Sequence, residues 1–527
     1  MKILKLTLKN FRGYLGEMSI NFDNFTAFVG KNDIGKSTIL EALDIFFNGN
    51  EAINKIEKSD LNVDVLALNE KDPEISIAVC FSELPKSIVI DSTNNTTLQA
   101  EYLLNQDGEL EVVKKYKNGS SSPKVFIRAL HPTNPSCNNL LQLKNDELKR
   151  KLESENISCE NKSVNAVIRN AIWTYFENKE GLRLSTTEIE VTTKGDTKSI
   201  WDQLQSYLPL YSLFQSDRKN TDGDSEVQDP LKEAVKEILS DSTLQQKLNE
   251  VAITVETKLK NVAERTLAKL SEMDPDIAKT LQPVIPPADS LKWQDVFKNV
   301  SITSDENIPI NKRGSGVKRL ILLNFFRAEV ERRQSETSAP NVIYAIEEPE
   351  TSQHSANQKK LIDALLQLAQ TAGVQVIITT HSPTIVKKLD LNNIRIIIKE
   401  NNSRKIIDTP SQKLPYRSLN EVNYIAFSEI SAEYHDELYG YIEEQGWMKK
   451  YTDTQTKYDY KKEYTDKTTQ EKKIKIQQLP LTVIIRHQIH HPENKKNDDY
   501  TEEQLRTSIE EMRKFIQAQS SKVDQPD

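Results

Sequence analysis

Residues 25–43, FTAFVGKNDIGKSTILEAL, decide the fold of this 527-residue chain. An apolar run, a glycine-containing loop and a helical pattern follow one another in this stretch. Gly30–Ser37 fits the pattern G-x4-G-K-[ST], in which backbone N–H groups and a helix N-terminus converge on phosphates. The stretch therefore predicts a strand, a phosphate-binding loop and a helix that together bind ATP or GTP.

Each residue type that the pattern specifies has a chemical role. Gly30 and Gly35 permit close approach and positive φ. Lys36 is expected to meet the β- and γ-phosphates, and the Ser37 hydroxyl to ligate Mg²⁺. ATP and Mg²⁺ are thus the predicted cofactors. The residues predicted to bind the nucleotide here are Gly30, Lys31, Asn32, Asp33, Ile34, Gly35, Lys36, Ser37 and Thr38.

Composition bounds the class of protein. Hydrophobic residues make up 37% and charged residues 28%, which is typical of a soluble globular protein. No apolar run approaches the ~20 residues that span a bilayer, and the first residues alternate as a strand does. The few, widely spaced cysteines, Cys80, Cys137 and Cys159, indicate a reducing cytoplasm and no metal site. A net charge of −8 argues against DNA coating the whole surface, although a local basic groove stays open.

The strand and helix patterns predict an α/β fold with a split nucleotide domain. The β-α-β rhythm of residues 341–399 belongs with the N-terminal strand in one sheet. Helical patterns in the inserted segment fit either a short paired arm or two helices packed on the core. The predicted domains are 1–60 and 296–408 as the two parts of the head, 61–295 as inserted strands and helical arm, and 409–527 as a mainly helical C-terminal domain.

A second group of acidic residues follows a predicted strand. Val342–Ile346 is apolar and leads into Glu347 and Glu348. Glu347 is expected to hold Mg²⁺ directly or through water, and Glu348 to polarise the attacking water. Because apolar strands often end in charges, a solvated strand end is the alternative.

Two further motifs lie near these carboxylates in the sequence. Gly314-Ser315-Gly316 opens a predicted helix and would form another anion cradle, with a plain loop as the alternative. The strand Val374–Thr380 ends at His381, which is placed to sense a γ-phosphate, with a structural histidine as the alternative.

In this order the four elements resemble the ABC-type ATPase head shared by SMC-like proteins and the OLD-like AAA group. The resemblance covers about residues 1–60 and 300–400 and implies a signature at Ser315 and Gly316 and an H-switch at His381. Residues 347–354 look like its Walker B and D-loop, and 8–13 like its opening strand, whose arginine, here Arg12, contacts nucleotide. Glu347 stands where an Asp is usual. No glutamine matches the Q-loop, for which Asp60 is only a guess.

The resemblance also implies an assembly. In such heads the signature of one protomer covers the ATP held by the phosphate loop of another. Since this chain has one loop and one signature, at least a homodimer with two composite sites is expected. ATP then joins Lys36 of one subunit to Ser315 and Gly316 of the next, and hydrolysis severs the contact.

The layout resembles most closely the PtuA family of ATPases from Septu-type and retron-linked anti-phage systems. Shared features are the compact head, the Arg-Gly-Ser-Gly signature, the sequence Glu-Glu-Pro-Glu-Thr-Ser at 347–352, and no acidic TOPRIM nuclease cluster after the head. This resemblance implies a cytoplasmic regulatory subunit that recruits a separate HNH nuclease. Retron-linked members also hold a reverse transcriptase with its msDNA.

Two alternatives to this function stay open, and the first comes from the C-terminal tail. Arg486 and His491 fit the R-x4-H spacing of HEPN ribonucleases, which would make the chain an ATP-gated ribonuclease toxin; a helix end before Pro492 explains the same residues. The other alternative is an SMC-like DNA-repair ATPase that grips DNA ends. The basic, aromatic run 449–475 suits nucleic-acid contact, although a solvated loop is the favoured interpretation.

Overall fold

The structure is a computed structural model. It describes residues 1–68, 71–86, 88–91, 94–191, 196–215, 237–273, 341–351, 355–400, 403–408, 414–465 and 472–523. The predicted signature residues Ser315 and Gly316 lie outside these ranges. The chain forms two compact units, Met1–Phe25 with Ser37–Ile378, and Thr26–Lys36 with Thr379–Asp527.

The described chain is built from both strands and helices. The strands are β1 (Lys2–Phe11), β2 (Tyr14–Asn21), β3 (Phe25–Val29), β4 (Glu74–Ser82), β5 (Ile88–Asp91), β6 (Asn94–Thr96), β7 (Leu110–Lys117), β8 (Lys124–Pro132), β9 (Leu184–Glu190), β10 (Leu210–Phe214), β11 (Val342–Glu347), β12 (Val374–Thr380), β13 (Ile394–Glu400), β14 (Ser403–Asp408), β15 (Lys457–Thr465) and β16 (Lys472–Pro480). The helices are α1 (Lys36–Asn48), α2 (Val63–Ala67), α3 (Asn145–Ser154), α4 (Asn165–Glu180), α5 (Asp196–Tyr207), α6 (Ser242–Met273), α7 (Ser355–Leu368), α8 (Pro383–Val386), α9 (Leu419–Phe427), α10 (Ala432–Glu444), α11 (Met448–Asp453), α12 (Leu481–His490) and α13 (Glu502–Val523). The predicted mixed α/β fold with a mainly helical C-terminal region is confirmed.

An antiparallel sheet dominates the first unit. Its strand order is β2-β1-β4-β7-β8-β9. Leu6 of β1 lies opposite Ile20 on one side and Val79 on the other, and all three are buried. Strands from the predicted insertion therefore complete a sheet that residues 1–21 begin. The proposed domain division at residue 61 falls between strands of this sheet and stays a prediction.

A second group of strands in the first unit carries the acidic pair. The strands β10, β11 and β12 lie side by side in that order, and β10 and β11 run parallel. Every residue of β11 before Glu347 is buried, as expected for a parallel strand covered on both faces. The apolar run thus explains the strand, and its charged end marks where the backbone leaves the core.

The helical pattern predicted around residues 138–180 corresponds to α3 and α4, which pack against each other. Arg169 on α4 forms a bidentate ion pair with Glu101, with N–O distances of 2.8 and 2.9 Å. The exposed fractions of the two side chains are 0% and 1%. A buried charge of this kind needs its partner, because the interior solvates ions poorly.

In the second unit, β3 and β13 run parallel, with Ala27 opposite Ile394 and Val29 opposite Ile396. The next strand, β14, pairs antiparallel with β13. The phosphate loop follows β3 directly and leads into α1, which is the order of elements predicted from the sequence.

The C-terminal part of the second unit has its own apolar core. α10, α12 and α13 pack together around buried residues that include Leu438, Ile485 and Ile509. Where a solvated loop was the favoured interpretation, β15 and β16 instead pair as a hairpin over nine residues each. The reason is a period-two alternation of tyrosine with polar residues, which suits a pleated ribbon. Within the described residues, no helix is both long enough and apolar enough to cross a bilayer.

Candidate nucleotide-binding site

The phosphate loop curls around the ammonium group of Lys36. Its Nζ donates hydrogen bonds to the carbonyls of Gly30 and Lys31, at 2.9 and 2.8 Å, and the residue is 4% exposed. Asp33 and Gly35 have positive φ values of 60° and 101°. Backbone in this conformation can turn its N–H groups toward a bound phosphate.

Glycine is required at Gly30 and at Gly35 for different reasons. A Cβ on Gly30 would lie 2.8 Å from the carbonyl oxygen of Ile397, so the loop starts where its backbone meets that of β13. A Cβ on Gly35 would lie 2.7 Å from Cδ of Arg404 and would also have to accept the φ of +101°. A side chain at Gly30 would displace backbone, whereas one at Gly35 would displace the side chain of Arg404 and strain the loop.

Arg404 on β14 contacts the phosphate loop, a contact that the sequence did not reveal. Its guanidinium Nη2 donates to the carbonyl oxygen of Asp33 at 3.3 Å, and its aliphatic stem covers Gly35. The next residue, Lys405, is exposed and pairs with Glu400 instead, at 3.1 Å. A single arginine in a short polar segment follows no pattern, so only the pairing of β14 with β13 identifies it.

In the first unit, the structure brings together the two residues predicted to hold Mg²⁺. The Ser37 hydroxyl donates a hydrogen bond to the carboxylate of Glu347, although the two are 310 positions apart. Hydroxyl and carboxylate oxygens are ligands that Mg²⁺ prefers. The pair therefore fits a divalent cation in chemistry and in position.

Glu348, the predicted water-polarising residue, has an unusual backbone. Its φ of +42° lies in the left-handed region, which non-glycine residues rarely adopt. The N–H of Thr351 donates to the Glu348 carbonyl at 3.0 Å and closes a turn directly after β11. Strained residues of this kind concentrate at functional sites, since the surrounding structure must hold them in place.

Helix α1 is fixed by a buried tyrosine from β10. The hydroxyl of Tyr211 donates to the carbonyl of Leu40 at 2.7 Å. Its ring stacks on Phe47, with ring centroids 5.6 Å apart and planes within 9°. Burial raises the pKa of Tyr211 well above its ordinary value, so the hydroxyl keeps its proton. The helix that carries Ser37 is therefore held rigidly on the strand.

Arg12 is engaged by two carboxylates. Its Nε lies 2.8 Å from Asp60 and its Nη1 lies 2.9 Å from Glu41 on α1. Burial alone lowers the pKa of Arg12, but the charges of Glu41 and Asp60 outweigh it, so that the pKa is raised. Arg12 thus joins the end of β1 to α1. The nucleotide contact implied for it by resemblance stays a prediction, and so does any Q-loop role of Asp60.

His381 occupies the end of β12, at a turn whose backbone is held. The N–H of Ser382 donates to the Thr380 hydroxyl at 3.0 Å, and the Ser382 hydroxyl accepts from Ile385 N–H at 3.4 Å. These bonds fix His381 between strand and helix in the second unit. Its predicted role as a phosphate sensor remains a prediction.

Arg486 and His491 contact different carboxylates, and the catalytic role suggested for the pair stays a prediction. Arg486 lies 3.4 Å from Asp436 and its guanidinium stacks 4.2 Å above the ring of Tyr439. His490 takes the second oxygen of Asp436 at 3.0 Å, whereas His491 contacts Glu493 at 3.1 Å. Within the described residues no contact links the two members of the R-x4-H pair.

Comparison with known proteins gives one family and several more distant similarities. The family model described as "AAA ATPase domain" matches residues 1–386. The Old nuclease of Escherichia phage P2 is 26% identical over 172 residues, which cover 32% of this chain and 29% of that protein. Two solved structures are similar: the SMC head bound to the C-winged helix domain of ScpA (16% identity, TM-score 0.35, 77% of this chain and 98% of that chain) and the SMC head domain from Thermotoga maritima (14%, 0.31, 78% and 99%).

Proposed function

Because the chain belongs to the family of AAA ATPase domains, which confirms the predicted ATPase, we propose that it is a regulatory subunit of a bacterial anti-phage defence complex. In this proposal, ATP-dependent assembly controls a partner nuclease of the HNH type. A reverse transcriptase with its msDNA is a further partner in retron-type systems. The observation that carries the proposal is that Ser37 and Glu347 contact each other, whereas within the described residues Arg486 and His491 each contact a different carboxylate.

Each residue of the ATP site has an assigned task. Ser37 and Glu347 would hold Mg²⁺, which neutralises charge on the phosphates during transfer. Lys36 binds the β- and γ-phosphates, and Glu348 accepts a hydrogen bond from the attacking water and polarises it. His381 senses the γ-phosphate. The head consists of residues 1–60 and 296–408 in this proposal, with 61–295 inserted and 409–527 as the C-terminal domain.

The site is completed by Ser315 and Gly316 of a second copy. Mixing two inactive variants tests this directly. If Lys36→Ala and Ser315→Arg homodimers are both inactive, an equal mixture forms mixed dimers in which one site combines an intact loop with an intact signature. Turnover should then recover to about a quarter of the wild-type value. If subunit exchange is verified and turnover still does not recover, the composite site is contradicted.

The regulatory role predicts what the purified chain does alone. With ATP and Mg²⁺ it should hydrolyse ATP slowly and leave DNA and RNA intact, and it should act in the cytoplasm. If a gene for an HNH nuclease neighbours the gene of this chain, addition of that nuclease should give nucleic-acid cleavage that depends on Lys36. RNA cleavage by the chain alone that disappears in Arg486→Ala would instead establish the ribonuclease alternative. Tight, ATP-dependent binding to DNA ends would favour the repair alternative.

A further inference from the structure

The hairpin of β15 and β16 has two chemically different faces. Residues directly opposite in an antiparallel pair share a face. Tyr460 lies opposite Gln477, Lys462 opposite Lys475, and Tyr464 opposite Lys473. We call this side the tyrosine–lysine face. Its members are Tyr458, Tyr460, Lys462, Tyr464, Lys473, Lys475, Gln477 and Leu479.

The acidic residues of these two strands lie on the other face. There, Glu463 forms an ion pair with Lys472 at 2.9 Å, and Asp459 accepts a hydrogen bond from Gln478. The tyrosine–lysine face has no carboxylate among the described hairpin residues. Lys462 and Lys475 directly oppose each other, an arrangement that destabilises a hairpin until an anion lies between them.

The tyrosines of this face are presented to solvent near its two ends. Tyr458 is 50% exposed and Tyr464 is 44% exposed. Tyr460 lies between them, is buried, and stacks on His487 with ring centroids 5.3 Å apart. Contact of an aromatic ring with water is unfavourable, and a nucleobase that stacks on an exposed ring removes the ring from water.

The orientation of the hairpin is fixed by side chains outside it. Asn494 donates to the Tyr460 hydroxyl at 3.0 Å, and Asn497 accepts from the N–H of Lys461 at 2.8 Å. The surroundings are positive. Burial first, and then the charges of Lys462 and His491, lower the pKa of His487. The face is therefore preorganised and attractive to anions.

We propose that the tyrosine–lysine face binds single-stranded nucleic acid, with Lys462, Lys473 and Lys475 on phosphates and Tyr458 and Tyr464 stacked on bases. A single strand fits better than a duplex, because the bases of a duplex are already stacked on each other. This site lies outside the ATP site, and its existence does not depend on which nuclease the ATPase controls.

The test uses the full chain and a fluorescent single-stranded oligothymidine of about 15 nucleotides, with and without ATP and Mg²⁺. Tyr458→Ala should weaken binding about tenfold, and Tyr458→Phe should restore it, since only the ring is needed. The double variant of Lys462→Ala and Lys475→Ala should reduce the slope of log affinity against log salt by about 1.4, which is 0.7 for each phosphate contact. The matched control is Lys461→Ala, the neighbour of Lys462 on the opposite face, which should bind as wild type does.

Unchanged ATP turnover in these variants confirms that they are folded. Absence of binding in either nucleotide condition, or equal losses in Lys461→Ala and Lys462→Ala, would overturn the proposal. A duplex bound more tightly than the single strand would also overturn it. The proposal is also overturned if polyglutamate binds as tightly as the oligonucleotide and Tyr458→Ala has no effect, because the face would then bind an acidic protein surface.

Discussion

The contact between Arg404 and the phosphate loop makes a quantitative prediction for ATP affinity. Arg404 donates one hydrogen bond to the Asp33 carbonyl and covers Gly35. A single hydrogen bond of this kind contributes about 1 kcal/mol, which corresponds to about fivefold in a dissociation constant. We therefore expect Arg404→Ala to raise the Kd for ATP about fivefold by loosening the loop. Lys405→Ala is the matched control and should leave the Kd unchanged.

A second substitution separates loop strain from this contact. An alanine at the φ of Gly35 costs about 1–2 kcal/mol by backbone sterics. Its Cβ would also displace Arg404, whose Cδ lies 2.7 Å away, and so break the Asp33 bond. Gly35→Ala alone should therefore lose about 2–3 kcal/mol of ATP-binding free energy, from the backbone strain and the broken hydrogen bond together. In the Arg404→Ala background only the strain remains to be lost.

The measurement is isothermal titration calorimetry of ATP with Mg²⁺ on the wild type, both single variants and the double variant. The loss of ATP-binding free energy in the double variant should be about 1 kcal/mol smaller than the sum of the losses in the two single variants. This difference is the value of the hydrogen bond that both single variants break. Losses that add within about 0.3 kcal/mol would show that Arg404 and Gly35 act independently. Wild-type affinity in Arg404→Ala would refute any role of Arg404 at the loop.

Three further predictions concern catalysis and stability. Glu348→Gln should bind ATP but slow hydrolysis by about 100-fold or more, so that gel filtration with ATP shows a persistent dimer; unchanged turnover would remove Glu348 from its role. Glu101→Ala leaves the charge of Arg169 buried and unpaired and should destabilise the first unit by about 3–5 kcal/mol, measured by urea unfolding followed through Trp173 fluorescence. Burial, and then Arg486, lower the pKa of His435 from 6.5 to about 3, so the unfolded chain takes up this proton first as the pH falls. Between pH 7 and 5.5 the wild type should therefore lose about 1 kcal/mol more unfolding free energy than His435→Gln, and parallel curves would contradict a neutral buried His435.

Local chemistry explains what the sequence could predict. The phosphate loop and the apolar strand β11 are each formed by consecutive residues, so the sequence pattern alone predicts both elements and their order. Arg404 and Tyr211 reach α1 or its loop from distant strands, and no local pattern records such a meeting.

The C-terminal tail shows a different limit of sequence patterns. The spacing of Arg486 and His491 suggests a catalytic pair, which stays a prediction, and it gives no sign that Asp436 on another helix contacts the arginine. The hairpin was missed because β15 is stabilised by pairing with a second strand further along the chain, and most residues of β15 face solvent. A pattern within one segment therefore fails wherever the partner that decides the outcome lies elsewhere in the chain.

The sheet that joins β1 to β4 restricts how this protein can be shortened. A gene that encoded only the two parts of the predicted head would remove β4 and leave β1 with a bare row of N–H and C=O groups. Such an edge recruits strands from other molecules, and the shortened product would precipitate or form aggregates rather than report on ATP. Any minimal ATPase must therefore retain at least the strands β4, β7, β8 and β9, although none of them supplies a residue of the predicted nucleotide site.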